Sequence, residues 1–261
     1  MIPVMVAIPL LVAFVLTLMD ALRARGSVVR LVFLLGIVGP WPLLAWYAGD
    51  MPWSEVVGGW TRISGIEVAL DRTNFLLVLG ELILMTTVGL YAFRRFNECS
   101  VLPVDADAGG SPDAAAPCPP PSIYRLILLV HAGALGALIS RDLFNFYVYL
   151  EIASVAGFIL TASSGAKGAK AAAYRYLMVS VTASFMFLFA LGVIYAHTGY
   201  LNLALIEGTL EVGRGVEIAL WVAVTALLAK AGVFPLPLWA PPATARSYAP
   251  VAALLAGVLV M

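Results

Sequence analysis

The feature that most limits this chain's fold is the recurrence of apolar runs long enough to cross a lipid bilayer. A helix spanning the hydrocarbon core needs about 20 consecutive apolar residues. Seven such runs follow one another, at residues 2–19, 31–48, 75–93, 123–139, 143–160, 176–195 and 216–233. Composition agrees: 62% of the chain is hydrophobic and 11% is charged, with a mean hydropathy of +0.98. An ordinary soluble domain carries about 25% charged residues. A water-soluble enzyme and a disordered chain are both excluded. Fifteen basic residues balance fifteen acidic ones, so no net charge points to a nucleic-acid partner. The expected fold class is all-α, a polytopic transmembrane helix bundle embedded in the lipid bilayer.

An eighth apolar stretch, residues 249–261, has 13 residues. It would rise only about 20 Å, short of the roughly 30 Å core. The expectation is therefore seven full spans and an incomplete eighth, belonging to a truncated chain or a split gene. The first run is not preceded by basic residues, and arginines follow it. It reads as an uncleaved helix rather than a signal peptide.

Loop charge sets an expected orientation. With the N-terminus outside, the inner segments hold Arg23, Arg25, Arg30, Arg94, Arg95, Arg125, Lys167, Lys170, Arg175 and Arg246. The outer segments hold only Arg62, Arg72, Arg141 and Arg214. The positive-inside rule then places the N-terminus outside the cell membrane. Residues 97–122, rich in Pro, Gly, Ala and Asp, read as a flexible inner-side linker. Cys99 and Cys118 lie in that stretch without the spacing of a zinc, iron–sulfur or haem motif, and read as free thiols. The outer loop 50–71 contains VVGGW and an alternating segment, 63–70, that suggest a short hairpin.

Charges inside a span are costly and therefore informative. Glu151 lies near the middle of the fifth run, on a helical face shared with Tyr147, Ser154 and Phe158. Burial favours the neutral acid and a nearby cation favours the carboxylate. A group balanced between the two can take up and release a proton. Lys230 lies deep in the seventh run, in LLAKAGVFPLPLW. Pro235 and Pro237 leave the carbonyls of Ala231 and Val233 without helical partners, so the helix is expected to break just after the lysine. Broken helices at membrane depth occur where backbone lines a cavity or an ion path. Paired, Glu151 and Lys230 stay charged; separated, each is driven toward its neutral form, which moves a proton. The plain alternative for each is a structural ion pair.

Other candidates carry less. Glu81, a third of the way into the third run, reads as structural, as an interface group paired with a partner subunit, or as a secondary proton group. His131, central in the fourth, reads as a buried hydrogen-bonded histidine or a proton relay. His197 lies at the outer end of the sixth run, too far in depth from His131 for the two to share a haem. Asp142 reads as a helix cap. No cofactor or metal site is expected.

Two long motifs carry a family resemblance. RDLFNFYVYLEIASVAGFIL resembles the fifth-helix signature, and KAGVFPLPLWAPPATARSYAPVAALLAGVLV the seventh-to-eighth-helix signature, of antiporter-like membrane subunits. These subunits are shared by respiratory complex I, membrane-bound hydrogenases and Mrp-type cation/proton antiporters. DLFNFYV followed by a glutamate is most similar to the Mrp D-subunit and hydrogenase branch. KAAAYRYL, HTGYLNLALI and GIEVALDRTN add weaker similarity. The resemblance implies about fourteen helices with two inverted five-helix repeats. It divides this chain into three leading helices (1–96), the linker (97–122) and a first repeat incomplete at its C-terminal end (123–261).

By the same resemblance, Glu151 and Lys230 take the positions of the family's proton-path ion pair. The implied role is an ion-translocating subunit, carrying H⁺ or Na⁺ beside other membrane subunits, with any redox centre in those partners. Three departures favour an alternative, a structural or coupling subunit that moves no ions. Pro237 and Pro242-Ala243-Thr244 replace histidine-bearing family positions, and Met261 aligns with the family's eighth-helix lysine.

Overall fold

The computed structural model of the protein describes residues 2–22, 26–49, 51–63, 65–101, 122–211, 213–233 and 237–257, with side chains omitted for 95–101. Eleven helices lie among the described residues: α1 (Val4–Ala21), α2 (Gly26–Val38), α3 (Pro40–Tyr47), α4 (Arg72–Val101), α5 (Ser122–Ile139), α6 (Leu143–Ala162), α7 (Ala169–Thr198), α8 (Leu203–Thr209), α9 (Arg214–Ala231), α10 (Ala240–Ala245) and α11 (Ala249–Gly257). Two short strands, β1 (Trp53–Val56) and β2 (Glu67–Leu70), precede α4.

Among the described residues, six segments are long and apolar enough to cross a membrane: Val4–Ala21, Gly26–Tyr47, Arg72–Arg94, Ser122–Ile139, Leu143–Ala162 and Ala169–Thr198. The expected seventh span is α9, whose 18 residues include Arg214, Glu217 and Lys230. Within the expected eighth, α11 is described through Gly257. The second expected run is not one smooth helix. It starts earlier, at Gly26, and is divided between α2 and α3, because Pro40 and Pro42 lack the N–H groups that would continue the ladder. The expected linker also starts too early, since α4 continues to Val101. Residues 102–121, with Cys118, and the side chain of Cys99 lie outside what is described.

The bundle is organised around α5, which packs chiefly against α6 and α1. Lipid tails are as apolar as leucine, so helices in a bilayer associate through close packing rather than through escape from water. Glycines on α5 permit this approach. A Cβ on Gly133 would stand 2.7 Å from the backbone oxygen of Tyr149, and Gly136 lies under the Tyr149 ring. Gly133→Ala is therefore expected to destabilise the α5–α6 contact by about 1–3 kcal/mol, as overpacking does. Gly192→Ala is the control, since a Cβ there meets nothing within 4 Å. Thermal unfolding in detergent, compared for the two variants, checks the difference.

One end of the bundle is closed by the loop between α3 and α4. The suggested hairpin forms, but only over four pairs, Trp53 with Leu70 through Val56 with Glu67. VVGGW contributes a 3-10 turn at Val57–Gly59 rather than strand, with Gly58 at φ +82°. Bridges from Val68 to Ser140 and from Asp142 to Asn202 extend the hydrogen bonding to the α5–α6 and α7–α8 turns. Glu67, buried, accepts from Asn202 at 2.8 Å and pairs with Arg62 at 3.0 Å. Asp142 caps α6 by accepting from the Asn145 N–H at 2.8 Å, as its position suggests. At the opposite end, Arg125 of α5 pairs with Asp20 of α1 at 3.2 Å.

Asp71 stands at the junction of this plug with α4. Its Oδ1 accepts from the backbone N–H groups of Thr73 at 2.9 Å and Asn74 at 3.0 Å, and Arg141 donates to its other oxygen. The Asn74 N–H contributes most; burial opposes it, but the Arg141 charge and the Thr73 N–H add to it, and together they hold this carboxyl below the usual carboxylate range. A depressed carboxyl contributes stability that is complete above the unfolded value of about 3.9 and is lost as pH falls through the folded value. Asp71→Asn is thus expected to flatten the acid limb of a stability-versus-pH curve below about pH 4. Denaturation scans of both proteins across that range provide the check; parallel acid limbs would contradict it.

Candidate functional site

The site begins where α9 ends. Gly232 adopts a left-handed conformation at φ +65°. Its N–H bonds Ala229 O and the Val233 N–H bonds Leu228 O, both at 3.2 Å. These two bonds satisfy carbonyls that the end of a helix would otherwise leave without partners. The expected break after Lys230 is present, but its cause differs. Glycine terminates the helix before the prolines are reached. Pro237 lies in non-helical backbone, and Pro235 lies outside the described residues.

Lys230 is the penultimate residue of α9. A cation there complements the negative end of the helix dipole. Its Nζ lies 2.6 Å from Glu151 Oε1 on α6. It also donates to Ser154 at 3.3 Å and Ser180 at 3.4 Å. Ser184, one turn beyond Ser180 on α7, donates to the same Glu151 oxygen. Three helices thus converge on one charge pair. The lysine side chain is 8% exposed and the glutamate 27%. The difference has a direction: Glu151 also lines an apolar groove on the flank of the bundle, with Leu126, Tyr147 and Val155. Lys230 lines an interior cavity of about 110 Å³, with Glu81, Ser154 and Tyr176.

The segment after the break is held against this site. Trp239 is buried and stacks on Tyr176, with ring centroids 4.0 Å apart and planes 12° apart. Its indole N–H donates to Ala229 O at 3.0 Å, one residue from Lys230.

The remaining candidates separate. His131 on α5 and Glu81 on α4 face each other, Nδ1 to Oε1 at 2.7 Å, and both are buried. His197 lies at the end of α7, exposed, with its ring bonded to Val193 O at 2.9 Å. Among the described residues, no three His, Cys, Asp or Glu side chains gather as a metal site would require.

Sequence reasoning missed the Glu81–His131 pairing, Ser180, Ser184, Tyr176 and Trp239. The serines had a faint signal, two small hydroxyls four residues apart within an apolar run, hence on one helical face. Gly232 had a stronger one, a glycine after a basic last turn.

Comparison with known proteins fits this architecture. Residues 140–261 match the family model described as NADH:quinone oxidoreductase/Mrp antiporter, transmembrane region. The chain is 34% identical over 260 residues to the N subunit of NADH-quinone oxidoreductase from Desulforudis audaxviator, covering 97% of this chain and 48% of that protein. It is 30% identical over 203 residues to the D subunit of the Na(+)/H(+) antiporter from Bacillus subtilis, covering 77% of this chain and 37% of that protein. Its fold matches one polypeptide of the membrane-bound sulfane sulfur reductase, an archaeal respiratory membrane complex. The TM-score is 0.81 at 22% identity, over 99% of this chain and 50% of that one. The chain therefore spans about half the length, or less, of the relatives it matches. By the family model and these relatives together, the chain belongs to the family of membrane subunits shared by NADH:quinone oxidoreductases and Mrp antiporters.

Proposed function

We propose that this chain is an ion-translocating membrane subunit, carrying protons, of a redox-driven pump or an Mrp-type cation/proton antiporter complex. The observation that carries the reading is the Lys230–Glu151 contact of 2.6 Å beside the capped break of α9. In the paired state both groups are charged and the proton is held on the lysine. Moving Glu151 away removes the stabilisation of the ammonium, and the proton leaves. Restoring the carboxylate recaptures one. Ser154, Ser180 and Ser184 keep both groups hydrogen-bonded as the pair opens, which limits the desolvation cost of separation.

In this reading the chain crosses the cell membrane seven times, with α9 as the seventh span and α11 as part of an eighth. The N-terminus is outside, by the loop charges. Residues 1–101 hold the leading helices with their outer loop, and residues 122–261 a first repeat. The flank groove supports the partner assignment. A carboxylate 27% exposed on an apolar flank is tolerated at membrane depth only against protein or water. A neighbouring membrane subunit meets that need.

The test is ion transport by the intact parent complex in lipid vesicles, with Glu151→Gln and with Lys230→Ala. Both variants are expected to assemble and to lose transport. Wild-type rates in both overturn the relay. Loss of assembly in both, with no transport defect in what does assemble, gives the structural role instead.

A further inference from the structure

We propose that Glu81 and His131 form a second proton-holding site, which exchanges protons with Lys230 across the cavity between α4, α5, α6, α7 and α9. The inference rests on the relay reading above and extends it by one station.

Three observations carry it. First, the pair is fully enclosed: Glu81 is 1% exposed and His131 0%, with Nδ1 and Oε1 at 2.7 Å. Second, the pair is chemically incomplete. Among the described residues, neither Glu81 Oε2 nor His131 Nε2 has a hydrogen-bond partner. Buried polar atoms serving packing alone are normally satisfied, and exceptions call for a reason. Third, Glu81 and Lys230 line the same cavity of about 110 Å³. At about 30 Å³ each, that volume holds about three water molecules. Glu81, Ser154, Tyr176 and Lys230 supply the polar partners such waters require.

The hydrogen bond already present suits both protonation states. With the proton on Oε2, Oε1 accepts from the His131 Nδ1–H. After that proton leaves, the same N–H stabilises the carboxylate. The transfer breaks the Glu81 O–H bond and forms an N–H bond on a neutral Lys230, through cavity water. No electrons move. It occurs when Lys230 has given up its own proton, and it creates a carboxylate facing an ammonium, so the charge of one offsets the other.

Among the described residues, the surroundings offer no competing carboxylate or amine within that cavity. Of the elements packed on α4 and α5, α11 has no ionisable side chain over its described length. Among those packed on the pair's helices, α1 brings Asp20, tied to Arg125, and β2 brings Glu67, tied to Arg62. Arg30 of α2, Tyr47 of α3, and Tyr147, Tyr149 and Glu151 of α6 do not line the cavity, whereas Lys230 and Tyr176 do.

The experiment uses the intact complex in vesicles, with Glu81→Gln beside Glu151→Gln. Glutamine keeps a hydrogen bond to His131 Nδ1 but carries no exchangeable acid proton. Proton transport is expected to fall about tenfold or more, within or just below the range of a lost proton-transfer group. In infrared difference spectra after a pH jump, a carboxylic acid band is expected in the wild type. It disappears in Glu81→Gln and shifts in Lys230→Gln. Should Glu81→Gln fail to assemble, Glu81→Asp keeps the acid and moves the band. The absence of a band that moves in that variant overturns the proposal. Wild-type transport and an unchanged band in Glu81→Gln, with transport abolished in Glu151→Gln, overturn the second station alone. Wild-type transport in Glu151→Gln overturns the relay and this inference with it.

Discussion

Replacing Lys230 by alanine is expected to cut ion transport by the parent complex by about a hundredfold or more, the scale on which a positioned proton-transfer group acts. The loss has two physical origins, and they separate experimentally. In the proposed relay, removing the ammonium takes away the group assigned to carry the proton between the flank carboxylate and the interior cavity. It also leaves the mostly buried Glu151 carboxylate with the Ser184 hydroxyl in place of a cation. Breaking one side of a buried ion pair costs about 3–5 kcal/mol, because the remaining charge is uncompensated. Lys230→Ala should therefore also lower the thermal stability of the complex.

The double variant Glu151→Gln/Lys230→Ala removes both charges, and neutral replacement of a buried pair is often close to neutral in stability. Stability is expected to return toward the wild-type value while transport stays lost. That pattern, strongly non-additive in unfolding and flat in transport, separates charge relay from scaffolding. A double variant that transports normally contradicts the relay outright.

Much of this arrangement was legible in the residues, for a simple reason. Apolar runs, intramembrane charges and a basic last turn are local signals, and each is imposed by the bilayer on the chain that crosses it. Hence the bundle, Glu151, Lys230 and the Asp142 cap could be read from the chain alone. What could not be read depends on which helix lies beside which. The spacing of Glu81 and His131 says nothing of their contact, because 50 residues separate them. Ser180 and Ser184 look like ordinary small residues of a long span until α7 is seen against α6 and α9. The break illustrates a different shortfall. Attention to missing N–H groups at proline found the right place, yet the helix is ended by the left-handed turn at Gly232.

Trp239→Ala is expected to be the most damaging neutral substitution near the site, at about 3–5 kcal/mol for truncation of a buried tryptophan. Its indole does three things at once. It stacks on Tyr176 of α7 at 4.0 Å, it donates to Ala229 O on α9 at 3.0 Å, and it lies over Gly232. The chain after the break is thereby pinned to the two helices that carry Lys230, Ser180 and Ser184. Without the indole, the last turn of α9 keeps its own cap but loses the contact that fixes where Lys230 points. A misplaced lysine weakens proton transfer even when both charged groups are intact, since transfer requires hydrogen-bond reach. Trp239→Phe keeps the stacking and gives up one hydrogen bond, worth about 0.5–1.5 kcal/mol net. The expected order in both thermal stability and transport is wild type, Trp239→Phe, then Trp239→Ala. If Trp239→Ala lowers stability but leaves transport per assembled complex unchanged, then Lys230 is positioned by Glu151 and the serines alone.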